Sequence, residues 1–276
     1  MVATPIGNLA DITLRALHVL GLVDAIACED TRHTQQLLRA YGIDRAGNAL
    51  LAVHQHNEAE ASAGVIERLR QGQRIAYVSD AGTPAISDPG ARLVAAVRAA
   101  GFQVLPLPGA SSITTALSAA GMVHDGGFVF AGFLPTKSAE RERAVLTLAA
   151  EPRAVVLLEA PHRIEALAAA LAVLADRPVT FGRELTKQFE DIATLPARDL
   201  PAWLAADANR LRGEFVIVVH GAPVAADAGD DQRVLKLLLA ELPLKTAVKL
   251  AAEITGSHKN SLYDAALALK KAADDS

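Results

Sequence analysis

A regular alternation of short apolar runs with amphipathic helical stretches constrains the fold of this chain more than any other feature. The runs, each of a length that suits one strand, are Met1–Thr4, Ala25–Cys28, Leu50–Val53, Arg74–Ser79 and Gln103–Leu105. The residues predicted to cap the helices between them are Asp11, Thr31, Asn57 and Asp88. Repeated strand–helix units predict an α/β fold with a doubly wound parallel sheet.

A second block of strands and helices follows the turn-rich stretch at residues 106–109. Its predicted strands are Phe128–Phe133, Ala154–Glu159, Val179–Arg183 and Phe215–His220, and its predicted helices cover residues 139–150 and 162–175. Because residues 180–194 read as two extended segments joined by a polar turn, we expect a mixed sheet. Ala222–Asp231 is small, acidic and aperiodic, which predicts a linker, and residues 232–271 have a helical pattern throughout. The predicted domains are therefore 1–108, 109–222 and 232–271.

Composition limits the class of protein. Hydrophobic residues make up 51% of the chain but aromatic residues only 4%, so we expect an aliphatic core. The formal net charge of -4 argues against a surface covered with positive charge, although a local basic patch stays open. The single cysteine, Cys28, lies in an apolar run and is expected to be buried. We recognise no signal peptide and no membrane-spanning run, so we expect a cytoplasmic protein.

Several common ligand-binding motifs are missing from the sequence. There is no G-x-G, which argues against the dinucleotide fingerprint, and no phosphate-binding P-loop. Neither H-E-x-x-H nor C-x-x-C occurs, and His54 and His56 have no third ligand nearby in the sequence. We therefore expect no metal site, and we expect the ligand to be bound by neither a dinucleotide fingerprint nor a P-loop.

Polar side chains are concentrated in the loops that follow the first four predicted strands. These loops are residues 4–11, 29–34, 54–58 and 79–90. Helix capping and turn formation explain single members, but not so many acidic, basic, imidazole and amide groups together. Because the carboxyl ends of parallel strands meet at the edge where ligands bind, the sequence predicts a site there.

The same loops carry motifs that resemble a known family. In chain order they are V-A-T-P-I-G-N-L-A-D, E-D-T-R-H-T, H-x-H-N-E, S-D-A-G-T-P-A-I-S-D-P-G, P-G-A-S-S, F-x-G-F-L-P, E-A-P-H-R, R-E-L-T-K and R-G-E-F-V-I-V-V. This series resembles the tetrapyrrole methylase superfamily, and within it the branch that methylates a cytidine 2′-hydroxyl in 16S ribosomal RNA. The resemblance implies two α/β domains with S-adenosylmethionine between them, a small helical C-terminal extension and a homodimer. Since the family pattern continues before Val2, it also implies a start upstream of Met1.

The resemblance further implies which residues bind S-adenosylmethionine. In the first domain these are Pro5, Ile6, Ser79, Asp80, Ala81, Gly82, Thr83 and Pro84. In the rest of the body they are Ser111, Ser112, Phe133, Glu159, Pro161, Gly213 and Glu214. A sulfonium ion that carries an adenosyl group and an amino acid needs backbone carbonyls, hydroxyls and an apolar slot, which these segments can offer.

The chemistry needs a proton acceptor, because a ribose 2′-hydroxyl is a poor nucleophile and a base should help by about 10²–10⁴-fold. The predicted catalytic residues are Glu29, Asp30, Arg32 and His56, with the choice of base left open among the carboxylates and the imidazole. His33, Asn57 and Lys187 are expected to position phosphate or ribose. Alternatively, Glu29 and Arg32 form an ion pair that orients the loop.

The tail predicts a helix–turn–helix with its turn at residues 255–257. Between Lys245 and Lys271 the tail carries five lysines, Lys245, Lys249, Lys259, Lys270 and Lys271. They serve either RNA phosphates or an ordinary solvated helix face. The competing functions are a methyltransferase of the same fold acting on a tetrapyrrole or other small molecule, and a DNA-binding regulator with an α/β sensor. The E-D-T-R-H-T loop and the tail favour RNA, so the expected partners are the small ribosomal subunit and a second copy of the chain, with no membrane.

Overall fold

A computed structural model describes residues 1–46, 49–122, 127–222, 228–256 and 259–274. Met1–Gly221 form one compact unit, and Ala222–Ser276 form another. In the described part of the chain, no helix is long and apolar enough to cross a membrane.

The first sheet of the larger unit is parallel, as the strand–helix alternation predicts. Its strands, β1 (Ala25–Cys28), β2 (Leu50–Ala52) and β3 (Ile75–Val78), lie in the order β2-β1-β3. The associated helices are α1 (Leu14–Leu22), α2 (Thr31–Ala40), α3 (Glu58–Arg70) and α4 (Ala91–Ala99). Every residue of β1, Cys28 included, is buried, because helices cover both faces of a central parallel strand.

Two predicted strands of this sheet, Met1–Thr4 and Gln103–Leu105, are not strands in the structure. Val2 makes an isolated parallel bridge to Leu107 and donates its N–H to the Tyr77 carbonyl at 2.9 Å, so the segment lies beside β3. Pairing stops there because Pro5, Pro106 and Pro108 have no N–H to donate.

Three of the predicted N-caps are corrected by the structure. Thr13, not Asp11, caps α1 by accepting from the Ala16 N–H at 3.0 Å. Asp30, not Thr31, caps α2. Asp88 caps nothing, because α4 begins after Gly90. Asn57 does precede α3, but its side chain bonds the His54 N–H and the Ala52 carbonyl instead of the helix.

The cap of α4 comes from α3. Glu58 is buried, and its Oε1 accepts from the N–H groups of Gly90, Arg92 and Leu93 at 2.9, 3.0 and 3.1 Å. A carboxylate at a helix N-terminus satisfies donors that no helical carbonyl can reach. Glu58 therefore fixes where the loop after β3 ends.

The second sheet is mixed, as predicted. Its strands are β4 (Phe128–Gly132), β5 (Ala154–Glu159), β6 (Pro178–Arg183), β7 (Asp191–Pro196) and β8 (Phe215–Val219), in the order β4-β5-β8-β6-β7. Only the β4–β5 pair is parallel, and β6 and β7 form the hairpin expected from residues 180–194. The helices of this half are α5 (Ser112–Ala119), α6 (Ser138–Ala149), α7 (Ile164–Leu171) and α8 (Leu200–Ala205).

Alternate residues of this sheet pack into two different cores. Phe181 and Ile217 face α7 and α8, whereas Val216 and Val218 pack with Ile113 of α5. Three aromatic rings pack together in the first core, where the Phe181 ring lies 5.6 Å from Phe215 and 5.5 Å from Trp203. Within this sheet, the C-terminal end of β5 lies beside the start of β8.

The smaller unit is helical, as predicted, and consists of α9 (Ala228–Glu241), α10 (Leu244–Thr255) and α11 (Lys259–Asp274). Its core is Leu235, Val248, Ala251, Leu262 and Ala266. Gly256, with φ of 74°, ends α10 in the left-handed conformation that glycine favours, whereas Ser257 of the predicted turn lies outside the described residues. The predicted linker Ala222–Asp231 is wrong at its end, because α9 already begins at Ala228; residues 223–227 lie outside the described residues.

Candidate functional site

A cavity of about 400 Å³ opens between the loop after β3 and the adjoining ends of β5 and β8. Most of the residues predicted to bind a cofactor line it. They are Ile6, Ala81, Gly82, Thr83, Ser111, Ser112, Phe133, Glu159, Pro161 and Glu214. Segments far apart in the sequence therefore form one wall.

The remaining predicted cofactor residues do not line the cavity but support its walls. Pro5, Ser79 and Pro84 are buried. Asp80 accepts a hydrogen bond from the Asp30 N–H at 3.2 Å, which ties the loops after β1 and β3 together. Gly213 has φ of 89°, and a Cβ there would overlap the Glu184 side chain.

The loop after β3 is held in an unusual conformation. Gly82 exchanges backbone hydrogen bonds with Thr4 at 3.0 and 3.1 Å, and Thr83 Oγ1 donates to the Ala110 carbonyl at 3.0 Å. Ala85 and Ser87 have φ of 68° and 67°, a left-handed conformation that costs a non-glycine residue on the order of 1–3 kcal/mol. Such strain is typical of functional loops.

Sequence reasoning missed part of the cavity lining. The missed residues are Ile86, Ser87, Asp88, Ile113, Leu158, Leu185, Phe215 and Val216; Ala160, part of the E-A-P-H-R motif, and Lys187, expected to position RNA, also lie here. The apolar members look like ordinary core residues in the sequence. Asp88 was detectable, since D-P precedes a helix, but capping explained it equally well.

Glu159 is the most buried polar group of the cavity. Its Oε1 accepts from the Ala160 N–H at 2.9 Å and lies 3.1 Å from Arg163 Nε, and its side chain is 0% exposed. Glu159 Oε2 is buried and has no hydrogen-bond partner among the described residues. Because an unpaired buried acceptor is costly, this oxygen suits a ligand N–H or O–H.

The N-terminus of α5 also faces the cavity, through Ser111, Ser112 and Ile113. Ser111 occupies the N-cap but makes no side-chain capping bond. The free N–H groups at the start of a helix attract anions, so this wall suits a carboxylate.

Carboxylates with raised pKa values lie at and beside the cavity. Burial, only partly offset by a Ser79 hydrogen bond, raises the pKa of Asp88. Burial, followed by the charges of Asp80 and Asp88, raises the pKa of Glu29. A carboxylate with a raised pKa is a stronger base than usual, so Asp88 is a candidate proton acceptor that the sequence did not predict.

None of the four predicted catalytic residues lines the cavity. Asp30 accepts from Arg32 Nη2 and from the Arg32 N–H, both at 2.8 Å. These bonds, the side-chain bond first, hold the pKa of Asp30 well below its usual range, so Asp30 is a weak base. The alternative ion pair between Glu29 and Arg32 is wrong, because Arg32 pairs with Asp30.

The other polar residues expected to touch RNA have different surroundings. His33 and His56 are exposed, and His56 lies 3.2 Å from the Gln55 amide. Lys187 Nζ donates to Glu184 at 2.9 Å and to Glu214 at 3.0 Å. Although burial lowers the pKa of Lys187, these carboxylates raise it overall, so the ammonium is held charged at the cavity. In the described residues, no three His, Cys, Asp or Glu side chains are grouped to hold a metal ion.

Comparison with known proteins agrees with this arrangement. The family model described as tetrapyrrole (corrin/porphyrin) methylases matches residues 1–201, and the model of the RsmI C-terminal HTH domain matches residues 225–270. The chain is 50% identical over 271 residues to ribosomal RNA small subunit methyltransferase I of Escherichia coli O157:H7, covering 97% of this chain and 93% of that protein.

Solved structures share the fold of the body at lower identity. A cobalt precorrin-4 methyltransferase is 19% identical with a TM-score of 0.58, covering 79% of this chain and 92% of that one. A uroporphyrin-III C-methyltransferase from Thermus thermophilus, complexed with S-adenosylhomocysteine, is 17% identical with a TM-score of 0.52, covering 79% and 95%. These matches confirm the resemblance inferred from the motifs. The chain belongs to the tetrapyrrole (corrin/porphyrin) methylase family and is a methyltransferase that carries the RsmI-type C-terminal helix–turn–helix domain.

Proposed function

We propose that this chain transfers a methyl group from S-adenosylmethionine to a cytidine 2′-hydroxyl in 16S ribosomal RNA of the small subunit. The structural observation that supports this most is the assembly of residues from both sheets around one apolar-walled cavity. The name of the relative that is 50% identical favours small-subunit RNA over a tetrapyrrole. The position and atom that are methylated rest on the motif resemblance.

The cavity fits the cofactor in three respects. The start of α5 suits its carboxylate, and the unpaired Oε2 of Glu159 suits an N–H or O–H donor. Ile6, Phe133 and Leu185 give an apolar surface for the adenosyl group. Bound there, S-adenosylmethionine supplies an electrophilic methyl group on a sulfonium sulfur.

The protein's own contribution is to orient the ribose and accept its proton. Asp88 lies on the cavity wall with a raised pKa, so it is the carboxylate best suited to take the proton of the 2′-hydroxyl. The charge of Asp80 raises the pKa of Asp88 further and so strengthens it as a base. Arg32, which is 88% exposed while paired with Asp30, can bind an RNA phosphate, and Lys187 can bind another.

The test is incubation with S-adenosylmethionine carrying a radioactive methyl group against unmethylated 30S subunits, naked 16S RNA and a tetrapyrrole. We expect label in the RNA, recovered after digestion as 2′-O-methylcytidine. Label on a base, or on the tetrapyrrole alone, would refute the proposal. Asp88→Asn is the matched variant, since it keeps the shape of the side chain and removes the base.

The resemblance also supports a homodimer. Leu146 on α6 and Val173, just after α7, are about 60% exposed, so the second half has apolar side chains for a second copy to cover. Light scattering at micromolar concentration should give twice the mass of the 28.9 kDa chain. A monomer mass would contradict the dimer without touching the proposed reaction.

A further inference from the structure

A second pocket, of about 450 Å³, adjoins the hairpin between β6 and β7 but shares no lining residue with the cofactor cavity. We call it the Phe189 pocket. The hairpin contributes Arg183 and Phe189, and the segment before β8 contributes Asp207, Asn209 and Arg212. Its size is within the range of small-molecule sites, and the function proposed above does not use it.

Phe189 is an exposed aromatic ring on a fixed backbone. Its side chain is 66% exposed, in a chain with only 4% aromatic residues. Arg183 Nη2 donates to the Phe189 carbonyl at 2.8 Å, and Glu190 Oε2 accepts from the Thr186 N–H at 2.6 Å. A ring held out by a rigid turn loses little freedom when another group packs on it, so it is preorganised for a flat partner.

The polar groups of the pocket can recognise the edge of a base. Arg183 is 8% exposed, and its buried Nε has no hydrogen-bond partner among the described residues. Asn209 carries an amide that both donates and accepts, next to the Asp207 carboxylate, which accepts from the Asn209 N–H at 2.9 Å. Arg212 is exposed and can pair with a phosphate. Stacking on an aromatic ring with hydrogen bonds to the base edge is how proteins read unpaired RNA.

One side chain connects this pocket to the site of methyl transfer. Glu184, which lines the Phe189 pocket, accepts from Lys187 Nζ and from the Glu214 N–H, both at 2.9 Å. Lys187 and Glu214 line the cofactor cavity. A base in the Phe189 pocket would therefore belong to a nucleotide close to the one whose ribose enters the cavity.

We propose that the Phe189 pocket binds an unpaired base flanking the methylated nucleotide, stacked on the Phe189 ring. This inference rests on the proposed function, because it concerns the same RNA. The pocket thereby determines which nucleotide is methylated, while the cofactor cavity determines the reaction. Phe189 is a specificity residue and not a catalytic one.

The test compares three variants of the full chain, Phe189→Ala, Phe189→Leu and Phe189→Trp, in methylation of unmethylated 30S subunits. Loss of one base–aromatic stack should raise KM for the subunits about tenfold in Phe189→Ala, with kcat changed less than about twofold. Phe189→Leu should stay defective because it keeps apolar surface without a ring face, whereas Phe189→Trp should restore KM. Calorimetry should give an unchanged affinity for S-adenosylhomocysteine in all three.

Tryptophan fluorescence provides an independent test of whether a base stacks on residue 189. The wild type has one tryptophan, Trp203, which packs against Phe181 and Arg210 and serves as the background. Stacking of a base should quench the added tryptophan of Phe189→Trp when 16S RNA binds, and leave Trp203 of the wild type unchanged.

Three results would overturn the inference while leaving the proposed function intact. The first is a wild-type KM in Phe189→Ala, and the second is a KM in Phe189→Leu as low as in Phe189→Trp. The third is a halved molecular mass in Phe189→Ala, which would mean that a second copy of the chain covers the ring. If the wild type itself methylates no RNA, the proposed function fails and the inference fails with it.

Discussion

Replacing Glu58 tests whether one buried carboxylate sets the geometry of the cofactor loop. Its Oε1 accepts from three N–H groups at the start of α4, at 2.9 to 3.1 Å. Loss of a helix cap costs about 0.5–2 kcal/mol, and each buried donor left without a partner costs about 1–3 kcal/mol. Since water can enter to reach some of these donors, we expect Glu58→Ala to lower the free energy of unfolding by about 3 kcal/mol.

Two variants serve as controls. Glu58→Gln keeps a neutral acceptor oxygen and should cost about 1 kcal/mol. Glu60→Ala removes an exposed glutamate from the same first turn of α3 and should change the free energy of unfolding by less than about 0.5 kcal/mol. If the cost came from helix propensity or charge in α3, both alanine variants would be affected alike.

Urea unfolding followed by tryptophan fluorescence is the assay, because the single tryptophan, Trp203, lies in the larger unit. Calorimetry with S-adenosylhomocysteine should also show weaker binding to Glu58→Ala, since the loop that ends at Gly90 lines the cavity. A loss below about 1 kcal/mol in Glu58→Ala, or an equal loss in Glu58→Gln, would refute the reasoning.

Three further predictions concern the RNA and the reaction. First, Asp88→Asn should raise Tm at neutral pH, because burial raises the pKa of Asp88 in the folded chain and its ionisation therefore opposes folding as the pH rises. The same variant should lose the acid limb of the kcat/KM profile, and an unchanged pH profile would exclude Asp88 as the base. Second, Arg32→Ala and Asp30→Asn, which still caps α2, should both raise KM for 30S subunits, because Arg32, which pairs with Asp30, is proposed to bind an RNA phosphate; wild-type kinetics in both would leave these side chains with structural roles only. Third, deleting residues 223–276 should reduce RNA affinity and make that affinity less dependent on salt concentration, because exposed Lys245, Lys249 and Lys259 are lost. Cofactor affinity should stay intact, and unchanged methylation of 30S subunits would show that the tail is dispensable.

Local patterns in the sequence are enough to define the class of fold and the sheet edge at which ligands bind. Short apolar runs between amphipathic stretches specify strands and helices, since the side-chain periods of 2 and 3.6 residues are local properties. The motif series determined the family, and with it about half of the residues that line the cavity, from Ile6 to Glu214. Proline positions could also have shown that residues 103–108 cannot pair as a continuous strand.

The partner of each polar side chain, in contrast, depends on how the chain packs. Asp11, Thr31, Asn57 and Asp88 all resemble caps in the sequence, yet none of them makes a side-chain capping bond. Asp30 caps α2 instead, and Glu58 of a different helix caps α4. Hydrogen bonds between residues 32 to 35 positions apart depend on how helices pack, which local pattern does not encode. The raised pKa values of Asp88 and Glu29 likewise arise from burial, and burial exists only once the chain has folded.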